Sequence, residues 1–370
     1  MDEEAVAVAP NGQEDAPTGA PLPILDEPDK PSIYAATIDD IEQAAGRIAP
    51  HAHFTPVQTC RSLDQLAGSR SLFFKCEIFQ RTGAFKFRGA CNSVFALSEE
   101  EASKGVVTHS SGNHAAALAL AAKLRGIPAH IVVPRTTPQC KVDAIMGYGG
   151  KLHFCEPTME AREEACARVQ AETGAVFIPP YNYGPVIAGQ GTIALEFLAQ
   201  VPDLDALVVP ISGGGMISGI ALAAKALRPG IKVIAAEPAG TNGAPDTALA
   251  KMAGWVVPCA RTDTIADGLQ GRLGSLTWPV VRDLVDGVVV VDEAEIVNAM
   301  RLIMERMKLV VEPSGAVGLA AVLSPAWASG HVTRECTRVG VVLCGGNLDL
   351  GAKGFWDMWL PKSQQAQDED

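Results

Sequence analysis

Between residues 105 and 178 short apolar runs alternate with helix-length segments, and this alternation limits the possible folds more than any other feature. Apolar runs at 105–108, 129–133, 151–154 and 175–178 are separated by helical stretches at 115–124, 139–148 and 158–173, joined by tight turns such as Gly126-Ile127-Pro128. Strand–helix–strand units with short connections close as right-handed crossovers, which demands a mostly parallel sheet with helices on its faces. Pro179-Pro-Tyr-Asn-Tyr-Gly-Pro185 breaks the rhythm, and a helix at 189–198 restarts it. Strand 206–210, helix 217–227, strand 232–237, a helical turn or two at 248–253, helix 292–307, a helix running from Glu312 to 323 and strand 339–343 then follow. Asp292 with Glu295 three residues on reads as a capping box for the 292–307 helix. Upstream, 39–48 reads as a helix, 71–76 as a strand and 84–95 as a helix. The reading is an α/β chain with two open, mostly parallel sheets and flanking helices. Its large domain is formed by 32–104 and 183–360, and 105–182 is a small domain inserted between them. Residues 1–31, acidic and rich in proline, read as a disordered tail, and 361–370 as a loose one.

Composition agrees with this and excludes several functions. The 370 residues include 36 Gly and 25 Pro with 48% hydrophobic residues, which suits many tight strand–helix turns. A net charge of −12 opposes nonspecific nucleic-acid binding and docking on an anionic membrane. The nine cysteines lack C-x-x-C spacing, the seven histidines do not cluster with them as zinc ligands, and no apolar span approaches eighteen residues. The start Met-Asp-Glu-Glu lacks a basic or apolar targeting segment, so a reduced, cytoplasmic protein is expected.

Four places carry chemistry. Lys86 lies between Phe85 and Phe87; it is either a snorkelling lysine or a covered amine whose lowered pKa allows Schiff-base formation. Ser110-Ser111-Gly112-Asn113-His114 opens a helix after a strand, as either a helix cap or a carboxylate site. Ser212-Gly213-Gly214-Gly215-Met216 also follows a strand, where converging N–H groups either hold a phosphate or make a packing turn. It is neither G-x-G-x-x-G nor a P-loop, which disfavours a nicotinamide dehydrogenase. Cys344 ends a strand, as a small hydrophobe or a thiol facing a ligand.

The run Phe79-Gln-Arg-Thr-Gly-Ala-Phe-Lys-Phe-Arg-Gly-Ala90 resembles the cofactor-lysine segment of the fold-type II pyridoxal-phosphate enzymes. Thr108-His-Ser-Ser-Gly-Asn-His114, Ala188-Gly-Gln-Gly-Thr-Ile-Ala-Leu-Glu196, Ser212-Gly-Gly-Gly-Met216 and Cys344-Gly-Gly-Asn-Leu-Asp-Leu350 match further segments in the same order. The similarity runs from about residue 50 to about 351. Leu72-Phe-Phe-Lys-Cys-Glu77 and Trp278-Pro-Val-Val-Arg-Asp-Leu-Val-Asp286 bring the chain closest to the eukaryotic serine racemases within that class. The resemblance implies pyridoxal 5'-phosphate on Lys86, packed by Phe85, backed by Gly268, its phosphate held by Ser212 to Met216. It implies Asn182 at the phenolic oxygen, Glu312 near the ring and Cys344 at the pyridine nitrogen, with Asn113 also at the cofactor. Ser110, Asn113, His114 and Arg162 would hold substrate. Lys86 and Ser111 would be bases on opposite faces, racemising serine, with β-elimination to pyruvate and ammonia alongside. Cys344 departs from the serine usual in racemases and resembles some dehydratases. A serine/threonine or 3-hydroxyaspartate ammonia-lyase is therefore the alternative, and a catalytically silent metabolite-binding protein is the alternative of another class.

The resemblance also implies a homodimer and a Mg²⁺ or Ca²⁺ site. Glu237, Asp246 and the carbonyl of Ala244 would supply hard oxygen ligands. Ala115-Ala116 stand where the racemases carry a Gly-Gln pair that helps hold ATP, which argues against nucleotide activation.

Overall fold

The computed structural model describes residues 34–351; the two tails expected at 1–31 and 361–370 lie outside the described residues. Ten strands are found among these residues, in two sheets. They are β1 (Val57–Thr59), β2 (Ser71–Cys76), β3 (Val106–Thr108), β4 (Ala129–Pro134), β5 (Lys151–Cys155), β6 (Val176–Phe177), β7 (Ala206–Pro210), β8 (Lys232–Pro238), β9 (Gly287–Val291) and β10 (Arg338–Leu343). The six-stranded sheet has the order β1-β2-β10-β7-β8-β9, and the four-stranded sheet β5-β4-β3-β6. Every pairing is parallel except that of β1 with β2.

Parallel strands buried on both faces must be apolar throughout, and β4 and β7 are buried at every position. On one face of the larger sheet, Ile193 and Phe197 of helix Gly184–Gln200 and Ile217 and Ile220 of helix Gly215–Leu227 pack over Leu207 and Val209. On the other, Val317 and Leu319 of helix Pro313–Leu323 and Ile296 of helix Glu293–Leu302 cover Val208 and Val341. The smaller sheet lies between helix Asn113–Arg125, through Leu118 and Ala122, and helix Met159–Thr173, through Ala165 and Val169.

Two helices differ from the sequence expectation. The one expected at 189–198 begins at Gly184, because Pro185 sits in its first turn, where the missing N–H costs nothing. The one expected at 292–307 is α-helical only over Glu293–Leu302 and then widens to a π-helical turn at Ile303–Met307. Its capping box forms as expected: the Asp292 carboxylate accepts from the Glu295 N–H at 2.8 Å, and the Glu295 carboxylate accepts from the Asp292 N–H at 2.9 Å. Among the described residues no helix is long and apolar enough to cross a membrane.

The parallel topology places the loops that leave the carboxyl ends of the strands along one edge of each sheet. The Lys86 loop leaves β2, the Ser212 loop β7 and Cys344 β10; in the smaller sheet Ser110 follows β3 and Pro180 follows β6. In open α/β sheets that edge is where ligands bind.

Candidate active site

Lys86 opens the helix Lys86–Ala96 and projects away from its neighbour Arg88. Its Nζ donates to the Pro180 carbonyl at 2.8 Å and lies 5.0 Å from the centre of the Phe85 ring. Burial lowers its pKa to about 8, against the opposing pull of Cys344 and Glu312. The amine is thus held between the two sheets, in the direction a nucleophilic lysine requires.

Glu312 and Asn113 meet next to it. The Asn113 amide donates to both Glu312 oxygens at 2.9 and 3.2 Å, and the Asn347 N–H adds a third bond at 3.1 Å. Burial raises the Glu312 pKa to about 7, with the Asn113 bond opposing. The Asn347 side chain donates to the Asn113 oxygen and to the Thr82 carbonyl at 2.8 and 2.7 Å, so one residue after β10 ties the Ser110 loop to the Lys86 loop. Sequence reasoning quoted Asn347 within its motif without giving it a role. The Asn113 side chain is turned to Glu312, which leaves its backbone N–H for an incoming anion.

The His114 ring is buried and bonds the Ile178 carbonyl through Nε2 at 2.9 Å. Burial, with Lys86 adding to it, pushes its pKa down to about 3, so it is neutral. Ser110 and Ser111 are partly accessible, and among the described residues neither hydroxyl has a hydrogen-bond partner. The helix Asn113–Arg125 is preceded by Gly112 with no side-chain cap. The cap reading of these serines is therefore not what the structure shows; the first-turn N–H groups and two hydroxyls remain open to a carboxylate.

The glycine loop has the same character. Helix Gly215–Leu227 begins after Gly214, whose φ is +85°, and no side chain caps it. A Cβ on Gly213 would lie 2.4 Å from the Tyr181 ring, so only glycine fits between the loop and that ring, and the uncapped N–H groups of the helix start remain for an anion. Met216 is buried in the first turn behind it. The Ser212 hydroxyl accepts from the Gly271 N–H at 2.9 Å, and Thr277 donates to the Gly213 carbonyl at 2.8 Å. Asn182 is engaged by the same 271–277 loop: its amide donates to Ser275 at 3.2 Å and its oxygen accepts from the Leu276 N–H at 2.8 Å. Ser314 holds two more site residues, accepting from the Gly268 N–H at 3.1 Å through its hydroxyl and from the Cys344 thiol at 3.4 Å through its carbonyl. Burial pushes the Cys344 thiol well above its ordinary pKa, so it is a neutral group. Tyr181 and Ser314 carried no motif by which sequence could have flagged them.

Arg162 lies in the first turn of helix Met159–Thr173, beyond the carboxyl end of β5, and makes no ion pair among the described residues. Glu237 and Asp246 are buried side by side. Glu237 accepts from the Thr247 and Ala248 N–H groups at 2.7 and 2.9 Å, and Asp246 accepts from Leu273 at 3.0 Å. The Ala244 carbonyl accepts from Thr262 at 2.8 Å. Burial, with the neighbouring Asp246 adding to it, raises Glu237 to about 8, and burial raises Asp246 too. Among the described residues no group of three or more His, Cys, Asp or Glu side chains forms a metal site.

Comparison with known proteins agrees with this arrangement. The model of the family described as pyridoxal-phosphate dependent enzyme matches residues 48–345. A serine racemase of Arabidopsis thaliana is 59% identical over 324 residues, 88% of this chain and 96% of its own length. A beta-hydroxyaspartate dehydratase of Paracoccus denitrificans is 49% identical over 319 residues, 86% of this chain and 98% of its own. The solved structure of maize serine racemase superposes with a TM-score of 0.84 at 54% identity, covering 91% of this chain and 99% of that one. A covered lysine, two uncapped helix starts and a close-approach glycine loop fit pyridoxal phosphate, and with these matches they show that the chain belongs to the pyridoxal-phosphate-dependent enzymes, among the relatives of the serine racemases.

Proposed function

We propose that this enzyme interconverts L- and D-serine and, in the same site, eliminates water from serine to give pyruvate and ammonia. The observation that carries the reading is the Ser111 hydroxyl, free of any capping bond, at an open helix start that the Asn113–Glu312 contact joins to the surroundings of Lys86.

Pyridoxal phosphate, when bound, supplies the electron sink that makes the α-proton of an amino acid removable. The residues would do the rest. The N–H groups of Ser212 to Met216 would hold its phosphate, Phe85 would pack its ring, and Cys344 would face its ring nitrogen as a neutral thiol. The first turn at Asn113 and the Ser110 hydroxyl would hold the substrate carboxylate. Lys86, with its lowered pKa, is suited to take and return a proton near neutral pH. Ser111 would exchange a proton on the opposite face. His114, neutral and bonded to Ile178, would contribute through its backbone N–H. Asn182 and Gly268 would shape the wall of the site, and Glu312 would set the position of Asn113.

A carboxylate pair as buried as Glu237 and Asp246 must share a proton or bind a cation. With the Ala244 carbonyl it would form an all-oxygen donor set suited to Mg²⁺ or Ca²⁺, and we assign it that role. The enzyme would work as a homodimer in the cytoplasm, without nucleotide activation.

A second reading, 3-hydroxyaspartate ammonia-lyase, is favoured by Arg162. It has no ion pair among the described residues and lies on the edge where a second substrate carboxylate would enter. The test is to incubate the cofactor-loaded enzyme with L-serine and Mg²⁺, measuring D-serine and pyruvate together for the parent and for Ser111→Ala. Loss of D-serine with pyruvate retained establishes the racemase with Ser111 as its second base. Pyruvate alone from the parent overturns it, and turnover of 3-hydroxyaspartate then decides for the second reading.

A further inference from the structure

Arg88 is two residues beyond Lys86, and its side chain is fully buried. Residues two apart on a helix project about 200° from each other, so Lys86 faces Pro180 while Arg88 enters a buried charge cluster. All five guanidinium N–H groups find oxygen there. Two go to Glu77 at 2.7 and 2.9 Å, two to Glu196 at 2.7 and 2.8 Å, and one to Thr192 at 3.1 Å. Lys75, also fully buried, gives its three protons to Glu196, the Thr55 carbonyl and Gln200 at 2.7, 2.8 and 2.9 Å. Two cations and two anions balance, and none of these donors is left over. Burial alone would lower the Arg88 pKa, but Glu77 and the rest of the cluster more than offset it.

Such a cluster is a poor way to gain stability, because well-packed apolar side chains of the same volume often do as well or better. What it supplies is direction: a planar fork meets a carboxylate in one orientation only. Its placement shows what is being directed. Glu77 immediately follows β2 and Arg88 lies in the helix after the loop, so their fork closes the stretch that contains Lys86. Within it Thr82, a β-branched residue, takes φ +60° and Gly83 φ +74°, a conformation the chain does not adopt unaided. Gln80 pins the middle by bonding the His53 N–H and carbonyl at 2.9 and 2.8 Å.

We propose that Arg88, through its paired forks to Glu77 and Glu196, is a positioning residue that fixes where the Lys86 amine points, and so sets cofactor attachment and proton transfer. The part that concerns proton transfer rests on the serine reading above; the part that concerns attachment does not.

The experiment compares the parent, Arg88→Lys, and the triple variant Glu77→Leu/Arg88→Met/Thr192→Val, which removes Arg88 with its Glu77 and Thr192 partners, takes out one cation and one anion together, and leaves Lys75 paired with Glu196. Apo-protein thermal unfolding reports the fold. Pyridoxal 5'-phosphate is then added, and the visible band of the lysine-bound cofactor is titrated with pH. Finally kcat and KM for serine are measured. The expected result is a triple variant that unfolds near the parent temperature yet binds cofactor with a displaced or weakened band, and whose kcat falls about 10²-fold, the cost of misplacing a reacting group by about an ångström, with KM nearly unchanged. Arg88→Lys, which keeps the charge and loses the fork, should fall between. A folded triple variant with the parent's band, titration and kcat overturns the proposal. If the triple variant does not fold, Arg88→Lys decides by the same readings. A parent without activity on serine sinks the serine reading, while the band still judges the positioning role.

Discussion

The Asn113 amide donates to both oxygens of Glu312, across 199 residues of sequence, and so joins the helix start beside Ser111 to the start of the helix Pro313–Leu323. Burial holds Glu312 protonated up to about pH 7 in the folded chain, against 4.5 for an ordinary glutamate. A raised acid pKa means the folded state binds the proton more tightly, so its contribution to stability is present below pH 4.5 and is lost as pH climbs through about 7. Glu312→Gln, which cannot ionise, should remove that decline. Thermal unfolding of parent and variant should diverge by several degrees between pH 5 and 7.5, at roughly 2 °C per kcal/mol for a large chain. Parallel curves would refute the assignment.

Lys86 should react with pyridoxal 5'-phosphate only as the neutral amine. With its pKa lowered to about 8, the rate of cofactor attachment to apo protein should rise about tenfold per unit below pH 8 and level off above it. Lys86→Ala should form no lysine-bound band and lose more than about 10³-fold of activity. A rate still climbing steeply at pH 10 would show that burial does not shift this amine.

Gly213→Ala places a methyl 2.4 Å from the Tyr181 ring. The ring or the loop must move, at about 1–3 kcal/mol. Cofactor affinity, measured by equilibrium titration, should fall about tenfold to a hundredfold. Retained affinity would mean that the phosphate is held elsewhere.

The Glu237–Asp246 pair gives a prediction with opposite slopes. Glu237 is raised to about 8, so without a divalent cation stability should decline as pH rises from about 4.5 towards 8. Mg²⁺ replaces the shared proton, so its effect on the unfolding temperature should be greatest at the alkaline end of that window and absent in Glu237→Gln/Asp246→Asn. An equal effect of Mg²⁺ at pH 5 and pH 8 would argue against this site.

The parallel sheets were legible because strand and helix periods alternate so regularly, and because Gly105, Gly126 and Gly174 take positive φ at turns where only glycine is at ease. The helix start at Gly184 was not, since Pro185 reads as a breaker until the first turn it occupies is known. Lys86 and Ser111 stand in local motifs and could be named from them. The charge cluster of Lys75, Glu77, Arg88 and Glu196 could not. Its members lie up to 121 residues apart, and each taken singly reads as a solvated charge. What cancels a charge in a core is a partner brought by tertiary folding, and no window of sequence contains that partner.

The opposite rim of the larger sheet has a different burden. At the amino ends of β7 and β10, Asp205 is tied to the Thr337 and Arg338 N–H groups, and before β8 Gly230 is exposed with open space around its Cβ position. Nothing there touches the reacting groups. The two rims therefore answer to separate selection, one to turnover and the other only to persistence of the folded chain. A peptide tag spliced at Gly230 should be catalytically silent, because the chain there can be rebuilt while the chemistry stands still.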